Sequence, residues 1–155
     1  MTDSASINVS LIAPIYNEHE NLPDLVDKVD SVMSAQAKSW EFICVDDGSR
    51  DGSDTLLTEL AKTRPWLRPL FLRRNYGQST AMQAGFDAAR GEVLVTIDGD
   101  MQNDPADIPR LLDMLDARPE VDIISGWRKN RKDKALLRKF PSKIANRLIS
   151  KVTGV

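Results

Sequence analysis

The sequence predicts an α/β domain built on a mostly parallel sheet. Two observations lead there. Short apolar runs rich in β-branched residues alternate with stretches whose apolar residues recur at helical spacing. The runs are apolar at nearly every position, as expected of strands covered on both faces. Strict alternation of strand and helix implies right-handed crossovers between parallel strands.

The first predicted strand is INVSLIAP, residues 7–14. A helix over about 21–36 follows, carrying Leu22, Leu25, Val26, Val29 and Val32 on one face. Asn21 is its expected N-cap, and Pro23 is tolerated in the first turn. EFICVD (41–46) is the second strand, and a helix over about 52–63 carries Leu56, Leu57 and Leu60. LRPLFLR (67–73) is the third strand. The helix after it, about 78–90, carries the small or apolar Ala81, Met82, Ala84, Gly85 and Ala89, and Gly91 is expected to end it. EVLVTID (92–98) is the fourth strand. Pro105 opens a helix to about 117 with Ile108, Leu111, Leu112 and Leu115 inward, and VDIISGW (121–127) is the fifth strand. There is no internal repeat and no low-complexity segment.

The pattern changes after Trp127, which sets an expected boundary between a core of 1–127 and a segment of 128–155. Residues 1–127 hold 11 Lys and Arg against 22 Asp and Glu, whereas 128–155 hold 10 against one, Asp133. So basic an end on an acidic body points to an anionic partner. Ile144, Leu148, Ile149, Val152 and Val155 fall near one helical face, with Lys143, Arg147, Ser150 and Lys151 on another. Such a helix lies on a membrane surface or packs on another part of the protein.

Composition narrows the classes. The 155 residues are 41% hydrophobic and 28% charged, as in globular domains. One cysteine, Cys44, excludes an internal disulfide, and its apolar surroundings predict a buried, inert thiol. No secretory leader is visible at the start, and no run approaches the roughly 20 apolar residues of a membrane span.

Three strands end in polar clusters: APIYNE (13–18), VDDGSRDGS (45–53) and IDGDMQND (97–104). Ligands of open parallel sheets sit at the carboxyl ends of strands, near a topological switch point. Asp51-Gly52 reads chiefly as a turn and cap, and His19 as a surface residue. Asp98 and Asp100, at Asp-x-Asp spacing, aim two carboxylates at one volume, and Gln102 adds a neutral oxygen. Hard oxygen ligands suit Mg²⁺ or Mn²⁺ completed by substrate phosphates. Asn103 and Asp104 are expected to lead into and cap the helix opened by Pro105. Asp47 is placed to accept a hydrogen bond from a base or ribose, and Tyr16 to face the base. RRNYGQ (73–78) offers a turn at Gly77 and cations at Arg73 and Arg74. Arg128 is placed to neutralise a phosphate. No zinc set, P-loop or dinucleotide-binding glycine motif is present.

PIYNEHENL, VDDGSRDGS, RNYGQSTAMQAGFDAARGE, IDGDMQNDPADIPRLL and SGWRKNRKD, in this order over about residues 7–150, resemble family 2 of the inverting glycosyltransferases, in its polyprenyl-phosphate branch. The resemblance implies the GT-A type nucleotide-diphospho-sugar transferase fold. By position it implies nucleotide contacts from Pro14, Tyr16 and Glu18, and base and ribose contacts from Val45 and Asp47. Asp98, Gly99 and Asp100 match the Asp-x-Asp, with Asp98, Asp100 and Gln102 as the metal set, and Arg128 approaches the donor phosphates. Asn103 stands where many relatives carry His, a departure expected to matter little.

The implied reaction is inverting transfer of a hexose from a nucleotide-diphosphate sugar to a polyprenyl phosphate, with Asp98, Asp100 and Arg128 as its catalytic set. A UDP-sugar is preferred to a GDP-sugar, and the cofactor is Mg²⁺ or Mn²⁺. The place is the cytoplasmic side of a membrane, met through 128–153, and no nucleic acid is involved. Relatives continue past Val155, so the chain is expected to be a piece that lacks an acceptor half. The alternatives are a transferase acting on a soluble or polysaccharide acceptor, and a nucleotide-binding fragment without catalysis. A phospho-receiver module fits poorly, because the third strand ends in LRRN and the fifth in SGWR.

Overall fold

The computed structural model describes residues 6–126. The chain divides into two compact units, Met1–Asp122 and Ile123–Val155, and only residues 123–126 of the second are described.

The first unit is the expected α/β sandwich. Its elements are β1 (Val9–Ile15), α1 (Leu22–Met33), β2 (Trp40–Asp46), α2 (Ser53–Ala61), β3 (Leu67–Phe71), α3 (Gln78–Ala88) and β4 (Val93–Thr96). A 3-10 turn, Pro105–Asp107, then leads into α4 (Ile108–Asp116). The sheet is entirely parallel in the order β3-β2-β1-β4. Register sets Val9 against Trp40 and Ile15 against Asp46, while Val9 also lies against Val93 on the other side.

Side-chain alternation divides the core between two faces. Val9, Leu11, Ala13 and Ile15 of β1, with Phe42 and Cys44 of β2, pack with Leu22, Leu25, Val26, Val29, Leu57, Ile108 and Leu112 under α1, α2 and α4. Ile12, Ile43 and Val45 face the other way, onto Ala81 of α3. Gly85 brings α3 close to the sheet, because a β-carbon there would lie 2.4 Å from Ile12 Cγ2. Two consecutive crossovers on one face followed by one on the other place the switch point between β1 and β4. That is where ligands of such sheets bind.

Four local expectations are corrected. Residues 121–126 form no strand, and Ile123 is 82% exposed. A strand forms only where a neighbour takes its backbone bonds, and β4 is paired to β1 alone among the described residues. Asn21 takes the expected N-cap position of α1, but its backbone is helical and its side chain makes no capping bond. Its Nδ2 instead donates to Glu18 Oε2 at 2.6 Å. Gly91 does not end α3, which stops at Ala88 with Ala89 extended. Gly91 lies further on, where a β-carbon would meet Ser10 N at 2.5 Å. Asn103 does not lead into the helix; its side chain turns back onto Asp98. Asp104 does cap, accepting the Ala106 N–H at 3.1 Å. The helix expected in 128–153 and Arg128 lie outside the described residues.

Candidate functional site

The carboxyl ends of β1, β2 and β4 converge, as parallel pairing requires. The loops after β1 and β2 are laced together. Asn17 N–H donates to Ser49 Oγ at 2.9 Å, Arg50 N–H to Asn17 Oδ1 at 2.9 Å and His19 N–H to Asp51 Oδ2 at 3.0 Å. Glu18 N–H donates to Ser53 Oγ at 3.1 Å, and the Ser53 hydroxyl donates to Asp51 Oδ1 at 2.6 Å. Burial opposes ionisation of Asp51, but the bonds from Ser53 and His19 outweigh it and hold the carboxyl below its ordinary value. Asp51 therefore does more than cap a turn: it clamps the loop that carries Tyr16 and Glu18. Asn17 sits at φ 55°, a left-handed conformation that asparagine accommodates better than most residues.

The two adjacent aspartates at the end of β2 point to opposite sides, as strand alternation demands. Asp47 is 2% exposed, and its oxygens accept the Tyr76 and Gly77 N–H groups, each at 2.8 Å. Its role in the structure is to hold the 73–78 loop. Asp46, also 2% exposed, accepts Ser49 N–H through Oδ2 at 3.1 Å, while its buried Oδ1 has no hydrogen-bond partner among the described residues. Asp46 lines an open cavity of about 570 Å³ with Tyr16, Arg50, Phe71, Arg73 and Arg74. That volume is in the range of small-molecule sites. Gly48, at φ 70°, has no room for a side chain: a β-carbon would lie 2.5 Å from the Arg74 carbonyl carbon. This close approach seats the 73–75 loop on the cavity wall. The Arg74 guanidinium stacks 4.9 Å above the Tyr76 ring.

The Asp-x-Asp loop reaches the β1 end through Gly99. A β-carbon on Gly99 would lie 2.9 Å from Pro14 O and 2.9 Å from Ile15 Cδ1. Asp98 Oδ2 accepts Asn103 Nδ2 at 2.7 Å, and Gln78 Nε2 lies 3.5 Å from Asp98 Oδ1. Asp100 Oδ1 accepts Gln102 N–H at 3.1 Å, across Met101 at φ 59°. Among the described residues no three His, Cys, Asp or Glu side chains form a preformed metal cage. Two carboxylates with an amide oxygen still fit Mg²⁺ or Mn²⁺, which draw remaining ligands from phosphates and water.

The structure thus brings Pro14, Tyr16 and Glu18 to the β1 end and Asp98, Gly99 and Asp100 beside them. Gln102 is exposed just beyond, Val45 is fully buried beneath α3, and His19 is exposed as expected. Sequence reasoning missed Asp46 and the bond from Asn103. Alternation along β2 separates Asp46 from Asp47, so the first was accessible to inspection; the second depends on the fold-back at Met101.

A parallel sheet covered on both faces, with carboxylates at the carboxyl ends of β2 and β4, defines an open α/β protein whose ligands sit at those strand ends. The chain belongs to glycosyl transferase family 2, whose sequence pattern matches residues 10–153. It is 46% identical over 97% of its length to a dodecaprenyl-phosphate galacturonate synthase of Rhizobium johnstonii. It is 44% identical over 95% of its length to an undecaprenyl-phosphate 4-deoxy-4-formamido-L-arabinose transferase of Pectobacterium atrosepticum. It spans 44% of each of these relatives. Among solved structures, a mannosyltransferase of Pyrobaculum calidifontis in complex with GDP-Man and Mn²⁺ superposes with TM-score 0.63 at 24% identity. That match covers 72% of this chain and 33% of the other. S. aureus TarS in complex with UDP superposes with TM-score 0.64 at 18% identity, over 85% and 40%. These likenesses establish the fold, which is of the GT-A type.

Proposed function

We propose that this chain is the donor-binding part of an inverting glycosyltransferase that moves a sugar from UDP to a polyprenyl phosphate. The observation that carries the donor reading is Asp46 Oδ1, a buried acceptor without a partner among the described residues, on the wall of a nucleotide-sized cavity. A buried carboxylate oxygen needs a donor, and leaving it without one costs free energy. Uracil presents a single imide N–H, which matches one oxygen without a partner among the described residues; Oδ2 already accepts from Ser49. Guanine presents two parallel N–H donors and would need both. Tyr16 and Phe71, 45% and 49% exposed, offer ring faces for the base.

The diphosphate would then extend toward Asp98, Gly99 and Asp100. A divalent cation held by Asp98, Asp100 and Gln102 would neutralise charge developing on the leaving UDP. Arg128, which lies outside the described residues, would supply a further cation to the donor phosphates; its match to the family motif supports that role. A phosphate oxygen of the lipid forms the new bond to the anomeric carbon as the bond to UDP breaks, and the electron pair leaves with UDP. A phosphate nucleophile needs no strong base. The acceptor class is supported by the names of both relatives, and the basic 128–153 segment would bring the site to an anionic lipid surface.

Calorimetry tests the donor reading. UDP is expected to bind with Mn²⁺ dependence, at least tenfold tighter than GDP, and Asp46→Ala to weaken it by about tenfold. Equal or tighter GDP binding overturns the base assignment. Binding without metal dependence, or unchanged in Asp100→Ala, overturns the diphosphate assignment. Retention on anionic liposomes, lost on deletion of 128–153, tests the surface.

A further inference from the structure

A side-chain contact within the Asp-x-Asp loop is required by neither the helix nor the sheet. Asn103 is exposed and lies five residues after Asp98, yet its Nδ2 donates to Asp98 Oδ2 at 2.7 Å. Two other carboxylates of the loop have local tasks. Asp100 Oδ1 closes the turn on Gln102 N–H, and Asp104 caps the next helical turn. The turn places Met101 at φ 59°, an unusual conformation for a residue other than glycine. At the other carboxylate oxygen, Gln78 Nε2 at the first position of α3 lies 3.5 Å from Asp98 Oδ1. Asp98 is thus met by two carboxamides, the shorter bond coming from Asn103.

We propose that Asn103 is a positioning residue for Asp98. A charge-assisted bond of this length fixes the plane of the carboxylate. It thereby sets the direction in which the carboxylate lone pairs point. A carboxylate oriented before the ligand arrives loses less freedom on binding it, so affinity rises without a new contact to the ligand. Groups that orient a metal-binding carboxylate typically contribute tenfold to hundredfold to metal affinity. The inference rests on the proposed donor site, and it assigns Asn103 the role of orienting its metal-facing carboxylate. Because Asn103 is exposed, replacing it is expected to leave folding intact.

The test is Mn²⁺ titration of the chain with saturating UDP, following free Mn²⁺ by electron paramagnetic resonance. Asn103→Leu removes the N–H at similar volume and is expected to weaken Mn²⁺ binding by about tenfold. Its melting temperature and its affinity for UDP without metal are expected to match the parent. Asn103→His supplies a ring N–H at similar reach and is expected to recover most of the loss. Parental affinity in Asn103→Leu, with parental binding intact, overturns this inference alone. Asn103→His as weak as Asn103→Leu overturns it too, since the N–H would then not be what matters. Absence of UDP-dependent Mn²⁺ binding in the parent overturns the donor site and this inference with it.

Discussion

The carboxylate of Asp47 holds the backbone of Gly77, accepting its N–H through Oδ2 at 2.8 Å while Oδ1 takes the neighbouring Tyr76 N–H. Gly77, at φ 97°, is the residue before α3, so this bond anchors the start of that helix to the end of β2. The same loop carries Arg73 and Arg74 to the wall of the cavity.

Replacing Asp47 should loosen that wall before it unfolds the domain. In Asp47→Asn one oxygen still accepts, but the amide nitrogen presents hydrogens to a backbone N–H. A buried donor is left without a partner, at a cost of about 2 kcal/mol. Urea denaturation should show that loss, and hydrogen exchange should show faster exchange at Tyr76 and Gly77 than in β1. Unchanged exchange at those two amides would show that Asp47 does not hold the loop.

The frame of the fold was legible because its signals are local. β1 and β2 are buried along almost their whole length, and their apolar runs announce it. The spacing of Leu22, Leu25, Val26 and Val29 places α1 in the same way. What misled were residues whose role is set by distant partners. Asn21 looks like a cap, but Glu18 claims its side chain. Asp47 follows a strand and reads as a ligand residue; its bonds to two amides 29 and 30 residues away are a second task that only the fold shows. Val121–Trp127 has a strand's composition, and composition does not supply the neighbour that a strand needs. That Asp98, Gly99 and Asp100 would lie beside the end of β1 was legible because polar strand ends in a parallel sheet must meet.

Gly85 provides a test of packing against propensity. Alanine in a helix is favoured over glycine by about 1 kcal/mol. At position 85, however, the added carbon would lie 2.4 Å from Ile12 Cγ2 and 3.3 Å from Val45 Cγ2. Overpacking typically costs about 1–3 kcal/mol, so Gly85→Ala should destabilise by about 1 kcal/mol net. In an Ile12→Ala background the obstructing atom is gone, and the same change should become stabilising. Additive effects of the two substitutions in urea denaturation would show that α3 does not approach β1 this closely.

Glu41 ties the far end of α3 to the sheet, and its ionisation makes the domain sensitive to acid. It is 2% exposed, and its Oε1 accepts the Ser10 hydroxyl at 2.7 Å and the Arg90 N–H at 2.8 Å, while Oε2 pairs with Arg68. Burial opposes the charge, but the bonds from Ser10, Arg68 and Arg90 prevail and hold the carboxyl below its ordinary value. The unfolded chain therefore binds a proton at higher pH than the folded one. This contribution to stability is complete above the unfolded carboxylate value and is lost as pH falls through the folded value. Glu41→Gln removes the charge and leaves Arg68 without its partner, at a cost of about 2 kcal/mol at pH 7. The stability gap between parent and variant should then narrow as the medium is acidified past the ordinary carboxylate range. Stability curves that stay parallel across that window would assign the acid sensitivity to other groups, Asp51 first among them.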